Sequence, residues 1–185
     1  MNIEKAISTP GWMSETELTY LAELASKSRC IAEIGSWRGR SARAFAENTP
    51  GMLFCVDTWA DNAYGIEGWW TENDGPDFCN HPNWLWNEFH KNTGDLVNVI
   101  PIRMASTQAA DVCARMGLKF DLIFIDAGHF YENVRDDIAA WNPLLRKGGV
   151  ICGHDYGHVP DCGVVRAVDE VFPRVSVTDS IWTAL

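Results

Sequence analysis

Apolar residues in this chain fall into short continuous blocks, and the stretches between them carry apolar positions at helical spacing. Cys30 to Ile34 and Met52 to Val56 read as short buried strands, and Val97 to Met104 as a third, with Pro101 hinting at an irregular or edge position. Phe120 to Asp126 is the clearest central strand, nearly all apolar and ending on an acid, as strands covered on both faces of a parallel sheet do. Val150 to Gly153 follows, and Val175–Val177 with Ile181–Thr183 read as a closing pair of short strands. Ser14-Glu15-Thr16-Glu17 is a capping-box pattern that opens a helix bearing Leu18, Leu21, Leu24 and Ala25 on one face. Further helices are predicted over Arg40 to Asn48, Trp84 to Lys91, Thr107 to Met116, Tyr131 to Leu145 and Val164 to Val171. The alternation predicts an α/β fold: an open, mostly parallel, seven-stranded sheet with helices on both faces. Residues 1–185 read as a single domain, interrupted only by an insertion at about 58–92 where the periodicity breaks.

In such sheets ligands bind at the carboxyl ends of the strands. Gly35, Asp57, Ser106, Asp126, His154 and Asp155 all follow predicted strand ends, so the topology gathers them on one edge. Gly35 and Gly39 let the chain turn tightly between the first strand and its helix, and let a ligand approach the backbone. Asp57 closes the second strand about 20 residues later, where nucleotide-binding βαβ units place the acid that holds a ribose diol. A ribose-bearing ligand is the expectation. The bland alternative is a glycine loop that only connects packed elements.

Charge narrows the partners. Fifteen Lys and Arg stand against 25 Asp and Glu, a net charge of −10, which repels nucleic acid and anionic membranes. No apolar run approaches the ~20 residues that cross a bilayer, and Met1 to Pro10 lacks the apolar centre of a signal peptide. Of the six cysteines, Cys30, Cys55 and Cys152 fall inside strand blocks as buried free thiols, so the expected compartment is a reducing cytoplasm. The expected partner is a small molecule, and the pattern admits a homo-oligomer.

The stretch Phe120-Asp121-Leu122-Ile123-Phe124-Ile125-Asp126-Ala127-Gly128-His129-Phe130-Tyr131, with Val134, Asp137, the Leu144–Gly149 turn and Gly153-His154-Asp155-Tyr156, carries a family likeness. It resembles the Rossmann-like class I S-adenosylmethionine-dependent methyltransferases. Within them it is similar to the small metal-dependent O-methyltransferases related to macrolide sugar methyltransferases and cephalosporin hydroxylase. The likeness runs from about Arg29 to the C-terminus, apart from Thr58 to Asn92. It implies methyl transfer from S-adenosylmethionine to a hydroxyl of a small molecule, with help from a divalent metal. By position, Glu33, Gly35, Ser36, Trp37, Gly39 and Ser41 would surround the methionine part, although the cap of the following helix is the better reading of Ser41. Asp57 with Thr58 would take the ribose. Ser106 would lie near the adenine or cap its helix, or do both.

The resemblance also implies that Asp126, His154 and Asp155 hold the cation and that His129 is the general base, with Asp126 in both the catalytic and the cofactor-binding groups. Relatives carry Glu where this chain has His154. An oxygen-only set suits Mg²⁺, whereas an imidazole admits Mn²⁺, Fe²⁺ or Zn²⁺. The plain alternative for His129 is a loop histidine held by hydrogen bonds. A structural zinc at Cys152, His154, His158 and Cys162 fits poorly, because Cys152 should point into the sheet. The insertion is crowded with Trp59, Trp69, Trp70, Trp84 and Trp86, with Tyr64, Phe78 and Phe89, and reads as an acceptor lid, a packed insertion or a subunit contact. Two other functions stay open: a metal-dependent hydroxylase on the same fold, and a non-catalytic S-adenosylmethionine-binding module.

Overall fold

A computed structural model describes residues 1–60, 83–157 and 163–185 of the chain. A short helix α1, Glu4–Ser8, precedes α2, Glu15–Ala25. The capping box forms as its sequence predicts. Glu17 N–H donates to Ser14 Oγ (3.2 Å), and Ser14 N–H donates to Glu17 Oε2 (2.8 Å). Strand β1, Cys30–Ile34, leads through the glycine loop to α3, Arg40–Ala46, and β2, Met52–Asp57. Then come α4 (Trp84–Thr93), β3 (Val99–Arg103), α5 (Ser106–Arg115) and β4 (Phe120–Ile125). The chain continues with α6 (Tyr131–Trp141), β5 (Leu145–Gly153), α7 (Val164–Val171), β6 (Val175–Thr178) and β7 (Ile181–Ala184).

The seven strands lie in the order β3-β2-β1-β4-β5-β7-β6, with β1 to β5 parallel and β7 antiparallel to both of its neighbours. The order reverses between β1 and β4, which opens a crevice at their carboxyl ends. Register fixes that edge. Ile34 lies beside Val56 on one side and Ile125 on the other, and Ile125 lies beside Gly153. The residues that follow these strand ends must therefore emerge together.

Alternation along the strands sends successive side chains into two separate cores. Ile31, Leu53, Leu122 and Phe124 face α1 to α4, packing on Leu18, Leu21, Phe45 and Phe89. Ala32, Ile34, Val56 and Ile123 face α5 to α7, packing on Ala109, Val134, Trp141 and Val168. Both faces are thereby covered, which explains why β4 is apolar at nearly every position. Glu33 breaks that pattern, standing fully buried on the α1–α4 face.

One boundary departs from the periodicity. The helix expected over Tyr131–Leu145 stops at Trp141, and Asn142–Leu144 form a single 3-10 turn. Pro143 has no N–H to continue the ladder, so the α-helical bonding ends there although Asn142 keeps helical dihedrals. The following strand accordingly starts at Leu145 rather than Val150. It bulges over Arg146–Gly149, since Phe120 pairs with Leu145 while Leu122 pairs with Val150. Among the described residues no helix is long and apolar enough to cross a membrane.

Candidate active site

The loop after β1 is shaped by its glycines. Gly35 has φ of +91°, and a Cβ there would stand 1.9 Å from the Asp126 carbonyl oxygen, so only glycine lets the two strand ends approach. Gly39, at φ +88°, precedes α3 as its N-cap residue. Trp37 between them is also left-handed, at φ +42°, an uncommon conformation for a bulky residue. Its ring stacks on Trp12 with centroids 4.4 Å apart.

Beneath this loop, burial pushes the Glu33 carboxyl up to about 7 against the opposing pull of Ser36, Ser41 and Cys55. Cys55 Sγ donates to Glu33 Oε2 at 3.4 Å. Glu33 Oε1 and Ser36 Oγ are buried with no well-formed hydrogen bond, although the Ser36 hydroxyl lies close enough to favour the Glu33 charge. Buried polar atoms so poorly satisfied are costly in a finished core and suit a polar ligand. Ser41 is the second residue of α3, not its cap; the cap position belongs to Gly39, so the capping alternative fails.

Asp57, at the end of β2, is buried beside this loop. Its two carboxylate oxygens are fixed by backbone donors, Trp37 N–H to Oδ2 at 2.9 Å and Trp59 N–H to Oδ1 at 2.8 Å. Burial raises its pKa, countered by these bonds and by Thr58. These donors fix the orientation of the carboxylate at the end of β2. Ser106 opens α5, whose N-cap position is Ala105, which overturns its capping alternative. Its hydroxyl accepts from Trp141 Nε1 at 2.9 Å and so ties α5 to α6.

A second cluster stands beside the crevice, after β4 and β5. Asp126, His154 and Asp155 each offer a ligand atom, and these atoms lie within 4.8 Å of one another. His154 Nδ1 is 3.3 Å from Asp155 Oδ1 and 3.7 Å from Asp126 Oδ1. Asp155 has φ of +62°, strain of the sort that clusters at functional sites. Burial raises the Asp126 carboxyl to about 6, helped by the Asp155 charge and opposed by His154. His154 is raised to about 11: burial works against the charged ring, and Asp126, Asp155 and Glu17 together outweigh it. His129 joins through Nε2, which is 3.0 Å from Asp155 Oδ2 and 3.9 Å from Asp126 Oδ1. A cavity of about 10 Å³, room for one water-sized group, lies among Asp126, His129, His154 and Trp182.

Sequence reading missed one member of this cluster, Glu17, whose Oε1 accepts from His154 Nε2 at 3.0 Å. The capping box fully accounts for an acid at that position, so nothing local signals a second contact 137 residues away. The zinc alternative gains nothing: Cys152 Sγ turns into the sheet toward Ile123 O (3.7 Å), and His158 and Cys162 lie outside the described residues. Of the aromatic insertion, Trp59 is fully buried and packs on Trp86 (4.8 Å) and Phe89 (4.5 Å), so this part is core. Tyr64, Trp69, Trp70 and Phe78 lie outside the described residues.

A family model described as "Methyltransferase domain" matches residues 32–156, a span that runs from the glycine loop through Asp155. The chain belongs to this family. It is an S-adenosylmethionine-dependent methyltransferase. No protein of curated function matches the sequence. Among solved structures, it is similar to the O-methyltransferase TomG from Streptomyces achromogenes, involved in tomaymycin synthesis and solved with S-adenosylmethionine. That likeness has a TM-score of 0.68 and 19% identity, over 94% of this chain and 81% of that one. An O-methyltransferase from Bacillus cereus, in complex with S-adenosylhomocysteine, aligns with a TM-score of 0.65 and 18% identity, over 97% and 86% of the two chains. The calicheamicin methyltransferase CalS11 gives 0.64 and 13%, over 90% and 76%. At these identities the likeness is one of fold.

Proposed function

We propose that this methyltransferase acts on a hydroxyl of a small molecule, with a divalent cation held by Asp126, His154 and Asp155. The observation that carries the reading is the meeting of two sets of groups on one sheet edge: Glu33, Ser36 and Asp57 after or within β1 and β2, and the acid–imidazole cluster after β4 and β5. The first set fits the methyl donor. Its amino-acid end carries an ammonium, which suits the buried Glu33 carboxyl beside Ser36, and its ribose diol suits the oriented carboxylate of Asp57. The second set, two carboxylates and one imidazole, suits a divalent ion.

When bound, the donor supplies an electrophilic methyl and the cation supplies positive charge that lowers the pKa of an acceptor hydroxyl. The chain does the rest. Gly35 lets the β1 and β4 ends close together, so that donor and acceptor meet in one crevice. Asp155 Oδ2 accepts from His129 Nε2, which orients the ring and leaves Nδ1 as the nitrogen able to take the acceptor's proton. Asp126 Oδ1 stands 3.9 Å from the same ring nitrogen. CalS11, a sugar-modifying relative in fold by its description as a TDP-rhamnose 3'-O-methyltransferase, supports a hydroxylated acceptor.

Purified protein stripped with a chelator and then supplied with Mg²⁺ or Mn²⁺ tests this. The assay is mass spectrometry of methyl products from a panel of hydroxylated small molecules. Expected are O-methyl ethers formed only with added cation, and loss of both cation binding and turnover in Asp155→Ala. Full turnover under chelator would remove the cation from the reaction, and methylation at nitrogen or carbon alone would overturn the acceptor class.

A further inference from the structure

Glu17 sits on α2, ahead of the residues matched by the family model, yet it reaches the cation cluster. It is almost fully buried, and four donors converge on its carboxylate. Ser14 N–H gives to Oε2 at 2.8 Å, while Ser180 Oγ (2.5 Å), Ser180 N–H (3.3 Å) and His154 Nε2 (3.0 Å) all give to Oε1. Ser180 is held in turn, because its carbonyl accepts from Tyr156 N–H at 2.9 Å, one residue past Asp155. A carboxylate so fully bonded keeps one position and can only accept. The imidazole nitrogen facing it must then carry hydrogen, and the opposite nitrogen, Nδ1, is turned toward Asp126 and Asp155, where a bound cation would replace the proton held between Nδ1 and these carboxylates.

We infer that Glu17 is the positioning residue that presents His154 Nδ1 to the cation, and that the resulting Asp–His–Asp set takes a first-row transition ion ahead of Mg²⁺. A carboxylate behind a ligating histidine fixes its tautomer and strengthens its donor nitrogen, an arrangement typical of transition-metal sites. A nitrogen in the set favours Mn²⁺, Fe²⁺ or Zn²⁺, since Mg²⁺ prefers oxygen and water. The inference rests on the cation reading of Asp126, His154 and Asp155.

Two measurements test it, neither of them activity. The first is ¹⁵N NMR of histidine-labelled protein saturated with Zn²⁺. It should show His154 ligating through Nδ1 and protonated at Nε2; ligation through Nε2 overturns the inference without any variant. The second is calorimetry with Mn²⁺ and Mg²⁺. Mn²⁺ should bind more tightly in wild type, and Glu17→Ala should weaken it by about 10–100-fold. Glu17→Gln, which keeps an acceptor facing His154, should recover most of that loss. Ser14→Ala, which removes the capping hydroxyl and its bond to Asp179 Oδ2 but keeps the backbone N–H on Glu17 Oε2, should change affinity by no more than about twofold. Equal Mn²⁺ affinity in wild type and Glu17→Ala reduces Glu17 to a helix cap, while the cation reading stands. Mg²⁺ binding as tightly as Mn²⁺ removes the preference. Wild type that binds no divalent ion overturns the cation reading and this inference together. If Glu17→Ala fails to fold, the wild-type tautomer and the Glu17→Gln affinity still decide.

Discussion

Glu33 should make cofactor affinity depend on pH. Its carboxyl is fully buried on β1, and burial holds it near 7, against an ordinary value of 4.5. The sign follows from that direction. Because the folded value is raised, the native free protein holds a proton between 4.5 and about 7 that the unfolded chain has released. The charged carboxyl therefore costs stability, fully above about 7 and not at all well below 4.5, and the cost corresponds to about 3 kcal/mol. An ammonium placed on Glu33 Oε1 needs the charged form. Below about 7, binding must first remove the proton, and each pH unit then weakens affinity about tenfold. Between pH ~8 and pH ~6 the dissociation constant for S-adenosylhomocysteine should rise about tenfold, or ~1.4 kcal/mol. Titration calorimetry at several pH values on wild type and Glu33→Gln checks this. The variant should bind weakly at all pH values and lose the slope. In the absence of ligand, it should be more stable than wild type near pH ~8, because its neutral amide escapes the cost of a buried charge. A wild-type affinity that is flat with pH, or an equal slope in Glu33→Gln, would refute the placing of the ammonium at Glu33.

Three further outcomes are expected. Asp57→Ala removes an oriented acceptor of the ribose hydroxyls, so S-adenosylhomocysteine affinity should fall by at least ~10-fold in calorimetry, about 1.4 kcal/mol; unchanged affinity would remove Asp57 from the cofactor site. His129→Ala should lower turnover by ~10²-fold or more with cofactor affinity intact; normal turnover would return His129 to a loop-anchoring role. Gly35→Ala sets a Cβ against the Asp126 carbonyl in a left-handed conformation, so thermal unfolding should show a loss of about 3 kcal/mol together with cofactor binding; a variant as stable as wild type would mean the β1–β4 approach is looser than described.

Much of this site was legible because its residues follow apolar blocks. Gly35, Asp57, Asp126 and His154 each stand where a continuous apolar run stops, and a parallel sheet must bring such stops to one edge. The boundaries were less legible. Arg146-Lys147-Gly148-Gly149 reads as a turn by composition, and only pairing across a bulge with β4 makes it strand, a non-local fact. Ser106 illustrates the same limit: its place before a helix suggests a cap, while its hydroxyl is used by Trp141, 35 residues away.

Glu17 is the sharper case, because its local motif explains the residue completely and thereby hides its second contact. The capping box needs a carboxylate at the third helical position, and one oxygen of that carboxylate satisfies the box. The other oxygen is left to serve His154 and Ser180, which come from β5's end and the β6–β7 turn. Fixing α2 against the closing hairpin and fixing the imidazole are thus one act of packing. It follows that the tautomer of His154, and with it the character of the proposed cation site, is set by elements that flank the family-matched span on both sides. Relatives sharing only the matched strands have no reason to share that character.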